Sequence, residues 1–195
     1  PIICEFANYV NWVYISKYQK LDETFIRKFA DTVDWDCISK FQILSEAFIR
    51  EFAHKVDWCH ICQYQKLSEE FIEEFTDKVN WDFISLNQTF TLSEAFIRKF
   101  ENKINWHFIS KRQTLSESFI REFQHKFDWN RIFTSQMLSE EFIIEFLDKV
   151  NWDVISSEQK LSESFIREFQ NKVNWQKISY NQKLSESFIR DFEDK

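Results

Sequence analysis

The chain has 195 residues with no Gly, its one Pro is Pro1, and 23 Phe and 8 Trp supply rings for a core. Without Gly it cannot form a Gly-rich phosphate loop, a G-x-G-x-x-G turn or a G-x-S-x-G nucleophile elbow, and primed β-hairpin turns are disfavoured. A net charge of -7 argues against nucleic acid or an anionic membrane as a partner, and no apolar run approaches the ~18 residues of a membrane span.

One pattern runs from end to end. Trp falls at 12, 35, 58, 81, 106, 129, 152 and 175, so the spacing is 23 residues except for one step of 25. From Trp35 on, a Leu lies 14 residues before each Trp. A partial unit, 1–20, is followed by units starting at 21, 44, 67, 92, 115, 138, 161 and 184, which read as a single array over 1–195. The longer step is a two-residue insertion near Thr89-Phe90-Thr91, which predicts a loop there. Such a period marks a repeat architecture.

The unit at 161–183, LSESFIREFQNKVNWQKISYNQK, predicts two short helices. Ser162 is an N-cap, Glu163 complements the helix dipole, and Leu161 and Ile166 have the spacing of a hydrophobic staple. Phe165, Ile166, Phe169 and Val173 share one face. Asn174 caps a second helix, along which Trp175, Ile178 and Gln182 are aligned. Neither helix is long enough to stand alone, because isolated helices below about 12 residues are marginal. The expected fold is therefore all-α: an αα-solenoid of about eight 23-residue helix-turn-helix repeats, with turns relying on Asn, Asp and Ser.

Departures from the pattern carry the candidate sites. In the N-terminal part the second helices hold an aromatic stripe: Tyr14, Tyr18, Phe41, Tyr64, Phe83 and Phe108. Later units place Arg131, Ser135, Glu158 and Lys177 at the same positions, so the stripe should face water and could contact a protein. The alternative is that each ring lies against a neighbouring repeat. Cys59-His60-Ile61-Cys62, with Cys37 one unit earlier, has some of the residues of a zinc site. Yet Cys62 stands where most units have Ser, so drift at tolerant positions is favoured. Further on, Ile144 replaces a recurrent Arg and Leu147 lies one turn away. They suggest a local contact patch, unless Phe127 and Phe133 simply enlarge the core.

Two rows recur along the whole chain. Gln at 19, 42, 65, 88, 113, 136, 159 and 182 is expected to satisfy backbone groups of a turn or a neighbouring unit. Arg at 27, 50, 98, 121, 167 and 190 follows a Glu by four residues, the order that favours an ion pair along a helix, and Glu168 with Lys172 suggests another. Glu73 and Ile144 interrupt the Arg row. The remaining histidines, His54, His107 and His125, read as surface residues. No group of residues converges on catalysis, so no catalytic residue, metal or cofactor is expected. Four Cys without a disulfide framework fit a reducing compartment.

The string LSExFIRxF-x-x-KV-[DN]-W-x-x-IS-x-x-Q, which covers essentially the whole chain, resembles the short tandem repeats of uncharacterised proteins of giant DNA viruses that infect amoebae. The resemblance implies a viral repeat protein in host cytoplasm or in the virus particle, and it implies no activity. The expected function is a non-enzymatic scaffold for protein–protein interaction, with no nucleic acid and no membrane. The alternative is a structural particle component that self-associates end to end.

Overall fold

The computed structural model describes residues 9–87 and 91–192. Among these residues every regular element is helical and there is no strand. The chain divides into two compact units, Pro1–Ile104 and Asn105–Lys195. The first holds α1 (Trp12–Tyr18), α2 (Glu23–Lys28), α3 (Trp35–Phe41), α4 (Glu46–Glu51), α5 (Trp58–Tyr64), α6 (Glu69–Glu74), α7 (Trp81–Leu86) and α8 (Glu94–Lys99). The second holds α9 (Trp106–Arg112), α10 (Glu117–Glu122), α11 (Trp129–Ser135), α12 (Glu140–Glu145), α13 (Trp152–Glu158), α14 (Glu163–Glu168), α15 (Trp175–Asn181) and α16 (Glu186–Asp191). Odd-numbered helices begin at a Trp, and even-numbered helices carry the Phe-Ile pair. The helical repeat architecture expected from the period is thus present in both units. Gln88, Thr89 and Phe90, which include most of the insertion, lie outside the described residues.

Side-chain caps start these helices. Asp34 Oδ1 accepts from Cys37 N at 2.8 Å, and Ser45 Oγ accepts from Phe48 N at 3.1 Å. Each satisfies one of the orphan donors of a helix N-terminus. Asn, Asp and Ser thus serve the turns as expected, at the helix starts, whereas the helix ends use other residues. No described residue has positive φ. Each Phe helix instead ends at a second Phe, such as Phe52 at φ -108 and ψ 26, and most Trp helices end at an extended Gln, such as Gln65 at φ -92 and ψ 151. Gly is dispensable because no helix ends in the left-handed region.

Packing between successive repeats supplies what six- and seven-residue helices lack. In the first unit α1 packs on α3, α3 on α5 and α5 on α7; in the second α9 packs on α11, α11 on α13 and α13 on α15. Each Trp ring lies against two Phe rings of the following Phe helix. Trp35 is 6.2 Å from Phe48 and 4.9 Å from Phe52 between centroids. Its indole N–H donates to Ala30 O at 2.8 Å, so one side chain ties its own turn to the next repeat. Ile38, Ile49, Ile61 and Ile72 are fully buried between the layers, each worth about 1.5–3 kcal/mol relative to exposure.

Polar groups repeat with the same register. Gln42 Nε2 donates to Ser16 O at 2.8 Å and Gln19 O at 2.9 Å, while its Oε1 accepts from Leu21 N at 3.0 Å. Gln65, Gln136, Gln159 and Gln182 make the same three bonds to the turn that follows the preceding Trp helix. At the insertion the register slips: α7 ends early, and Asn87 Nδ2 donates to Cys62 O at 2.6 Å, the bond that Gln makes elsewhere. A buried Ser forms a second tie. Ser39 Oγ donates to Trp35 O at 2.7 Å and accepts from Asp57 N, the next N-cap, at 2.9 Å.

Glu and Arg also connect repeats. Glu23 Oε1 accepts from Ser45 N at 2.7 Å, and Glu46 Oε1 from Ser68 N at 2.6 Å, so the first-turn Glu satisfies the backbone of the following cap. Arg27 Nε lies 2.7 Å from Glu51 of the next repeat but its NH2 group is 3.8 Å from Glu23 on its own helix. The inter-repeat pair is the closer one. Glu73, which breaks the Arg row, pairs with Lys99 at 2.7 Å, so both charges are exchanged and the contact is kept. The expected Glu168–Lys172 pair does not form among the described residues; Lys172 Nζ lies 5.6 Å from the Trp152 ring centroid instead.

Candidate functional site

The aromatic stripe sits where the Trp helices of the first unit face outward. Its positions lie two and six residues after each Trp, on the helix flank beside the buried Ile. Tyr14 is 61% exposed, Tyr18 65%, Phe41 44% and Tyr64 43%; Phe83 is half-buried. None of the six rings is buried. Phe108, also half-buried, belongs to the second unit, where its ring meets the edge of His107 at 5.5 Å.

Lysines join the rings of the first unit into one feature. Tyr14 and Tyr18 are 6.1 Å apart. Lys17 Nζ lies 4.7 Å from the Tyr18 centroid and 5.4 Å from Phe41; Lys40 Nζ lies 5.3 Å from Phe41 and 5.5 Å from Tyr64. The order Tyr18, Lys17, Phe41, Lys40, Tyr64 therefore alternates ring and cation across three helices. Cation–π attraction at such exposed sites is worth about 0.5–1 kcal/mol. The Tyr18 phenol beside it holds the Lys17 ammonium above the ordinary lysine range. At one edge, Lys17, Tyr18, Phe41 and the exposed Ile43 line an open cleft of about 550 Å³.

The two residues of the second candidate patch lie on the surface flank of α12 and the turn after it. Ile144 is 42% exposed and Leu147 is half-buried. Phe127 and Phe133 are buried, with the Phe127 ring 5.2 Å from Trp106 and the Phe133 ring 5.6 Å from Trp129. Core enlargement and surface exposure thus occur in adjacent repeats.

The C-x-x-C pair does not converge. Cys59 is exposed, whereas Cys62 is buried and its Sγ accepts from Asn80 N at 3.3 Å, the role of Ser39 in the repeat before. Burial pushes the Cys62 thiol up to about 11, which opposes the thiolate that metal binding requires. Cys4 lies outside the described residues. His60 instead faces Asp36 and Asp57, a juxtaposition that spacing alone did not reveal because it joins two consecutive Trp helices. His54, His107 and His125 are exposed. No helix among the described residues is long and apolar enough to cross a membrane.

Comparison with known protein families, curated proteins and solved structures found no match.

Proposed function

We propose that the chain is a non-enzymatic scaffold that holds a protein partner against the aromatic–lysine face of its first unit. The observation that carries this reading is the alternation of Tyr18, Lys17, Phe41, Lys40 and Tyr64 at the surface. Tyr and Phe contribute large contact area at small entropic cost, and interfaces are enriched in them. The resemblance of the repeat string to giant-virus proteins supports host cytoplasm or the virus particle as its place. The test is capture of partners by the intact chain and by the Phe41→Ser, Tyr64→Ser double variant. Loss of a specific partner with a melting shift below about 4 °C supports the reading. Unchanged capture, or a large loss of stability, overturns it.

End-to-end self-association is the second reading, and the head-to-tail character of the repeat contacts favours it. The side chains of Gln42, Gln65, Gln136, Gln159 and Gln182 each grip the turn of the repeat before, so the pairing surfaces are unlike and do not close on themselves. Light scattering over a concentration series checks this, and a constant monomer mass opposes it.

A further inference from the structure

Beside the aromatic face, with His60 at the position two residues after Trp58 and 5.8 Å from the Tyr64 ring, α3 and the start of α5 bring together one imidazole and two carboxylates. Asp36 follows Trp35 directly, Asp57 caps α5, and His60 lies in the first turn of α5. Packing of α3 on α5 fixes their approach. His60 Nδ1 lies 3.1 Å from Asp36 Oδ1 and 3.5 Å from Asp57 Oδ1, and the ligand atoms of all three residues are within 4.8 Å of one another.

Three features separate this cluster from a surface group of acids. First, His60 Nδ1 is buried and makes no hydrogen bond, although both oxygens are close. Second, the two nitrogen–oxygen separations bracket about 3.3 Å, the edge of a tetrahedron whose centre is about 2.0–2.1 Å from nitrogen and oxygen ligands, as in zinc sites. Third, at one equivalent position in the second unit the chain itself supplies the donors. There Asp153 stands for Asp36, Asn174 for Asp57 and Lys177 for His60. Asn174 Nδ2 donates to Asp153 Oδ1 at 2.6 Å, and Lys177 Nζ donates to Asp153 O at 3.2 Å. The first unit replaces an amide and an ammonium by a carboxylate and an imidazole, so it gains a negative charge at Asp57 and lacks the lysine cation at His60.

We infer that Asp36, Asp57 and His60 form a binding site for a divalent transition-metal ion of the Zn²⁺ class. Imidazole with carboxylates suits Zn²⁺, Co²⁺ or Ni²⁺ better than Mg²⁺ or Ca²⁺, which favour all-oxygen sets. Three protein ligands leave the remaining coordination positions to water. The ion would clamp two successive repeats at the point where the other unit uses a lysine.

The experiment is calorimetric titration of the full chain with ZnCl₂, repeated with CoCl₂ and read by visible absorption. One equivalent should bind, and His60→Gln and Asp36→Asn should each weaken binding about tenfold or more. Asp36 is exposed and caps nothing, so Asp36→Asn keeps the test valid if His60→Gln folds poorly. Cys59→Ser should leave the affinity unchanged. No binding up to about 1 mM, which corresponds to only about 4 kcal/mol, overturns the site. So does affinity unmoved by Asp36→Asn, or binding lost in Cys59→Ser, which would assign the ion to thiols.

Discussion

The repeat built on Trp58 and the repeat built on Trp129 share a signature and differ at two buried positions, Val56 against Phe127 and Cys62 against Phe133. Four residues after Trp58 stands Cys62, whose Sγ receives the N–H of the next cap, Asn80; Val79 beside that cap is buried. Four residues after Trp129 stands Phe133, fully buried and 5.6 Å from the Trp129 ring. A phenyl ring accepts no such N–H bond and fills more space. The link after α12 rewinds as a single 3-10 turn, Leu147–Lys149, and Val150 becomes half-exposed. Its N–H bonds Leu147 O at 3.4 Å, whereas Val79 N bonds Phe75 O at 3.0 Å. Even so, Asn151 still caps α13 and Gln159 still grips the preceding turn. Helix register survives a changed core because it is held by several polar ties, while the link absorbs the change.

The largest test of this difference is Phe133→Ala. Emptying that site should cost about 3–5 kcal/mol in urea unfolding, whereas Cys62→Ala, which removes one sulfur, should cost about 1 kcal/mol. Equal losses would mean that the Phe133 ring adds no packing beyond that of the small residue it replaces. Next in size is removal of the Gln grip. Gln65→Ala and Gln159→Ala each strip partners from two carbonyls and one N–H, and a buried group left unsatisfied costs about 1–3 kcal/mol. Faster amide exchange at Leu44 in the first variant and at Leu138 in the second is expected. Exchange accelerated only at Leu44 would show that the turn at the end of the Trp129 helix no longer depends on Gln159.

Much of this architecture was legible in the sequence. The period, the Trp and Leu rows and the Ser, Asn and Asp caps are local signals, and each recurs often enough to fix helix starts. The Gln row was readable as structural because its phase places it beside Ile on the Trp helix. What the sequence concealed is the partner of each recurrent side chain. Periodicity gives every Glu23-like residue the same position but does not say whether it faces its own helix or the next repeat. One signal did exist: Glu73 and Lys99 depart from the pattern together, and exchanged charges at a fixed separation mark a contact. Asn87 was concealed because the insertion lets α7 end one residue early, and His60 because its neighbours come from two repeats.

That exchanged pair offers a smaller test. Glu73→Arg sets two cations face to face across the repeat boundary and should cost up to about 1 kcal/mol at low salt, given the exposure of the pair. Adding Lys99→Glu should recover most of it, since the order becomes that of Arg50 and Glu74, 2.6 Å apart. A double-mutant cycle without coupling would remove this pair from the set of inter-repeat ties.

The smallest expected effect lies in the repeat that follows Trp129. Arg121 of the second unit reaches Glu145 at 2.7 Å, and Arg167 reaches Asp191 at 2.5 Å. Between them, Ile144 occupies the Arg position, so Glu168, which stands where Glu145 and Asp191 stand, has no ion pair among the described residues. Ile144→Arg restores the recurrent pair at a surface site that is 42% exposed. It should raise stability by a few tenths of a kcal/mol, the usual yield of an exposed ion pair, and high salt should abolish the gain. If Ile144 were instead needed to cover the core beside Phe133, the same change would lose stability at every salt concentration. Comparing urea midpoints at low and high salt therefore separates a surface Ile from a buried prop, and shows whether the altered repeat extends its rearrangement to the outer flank of α12.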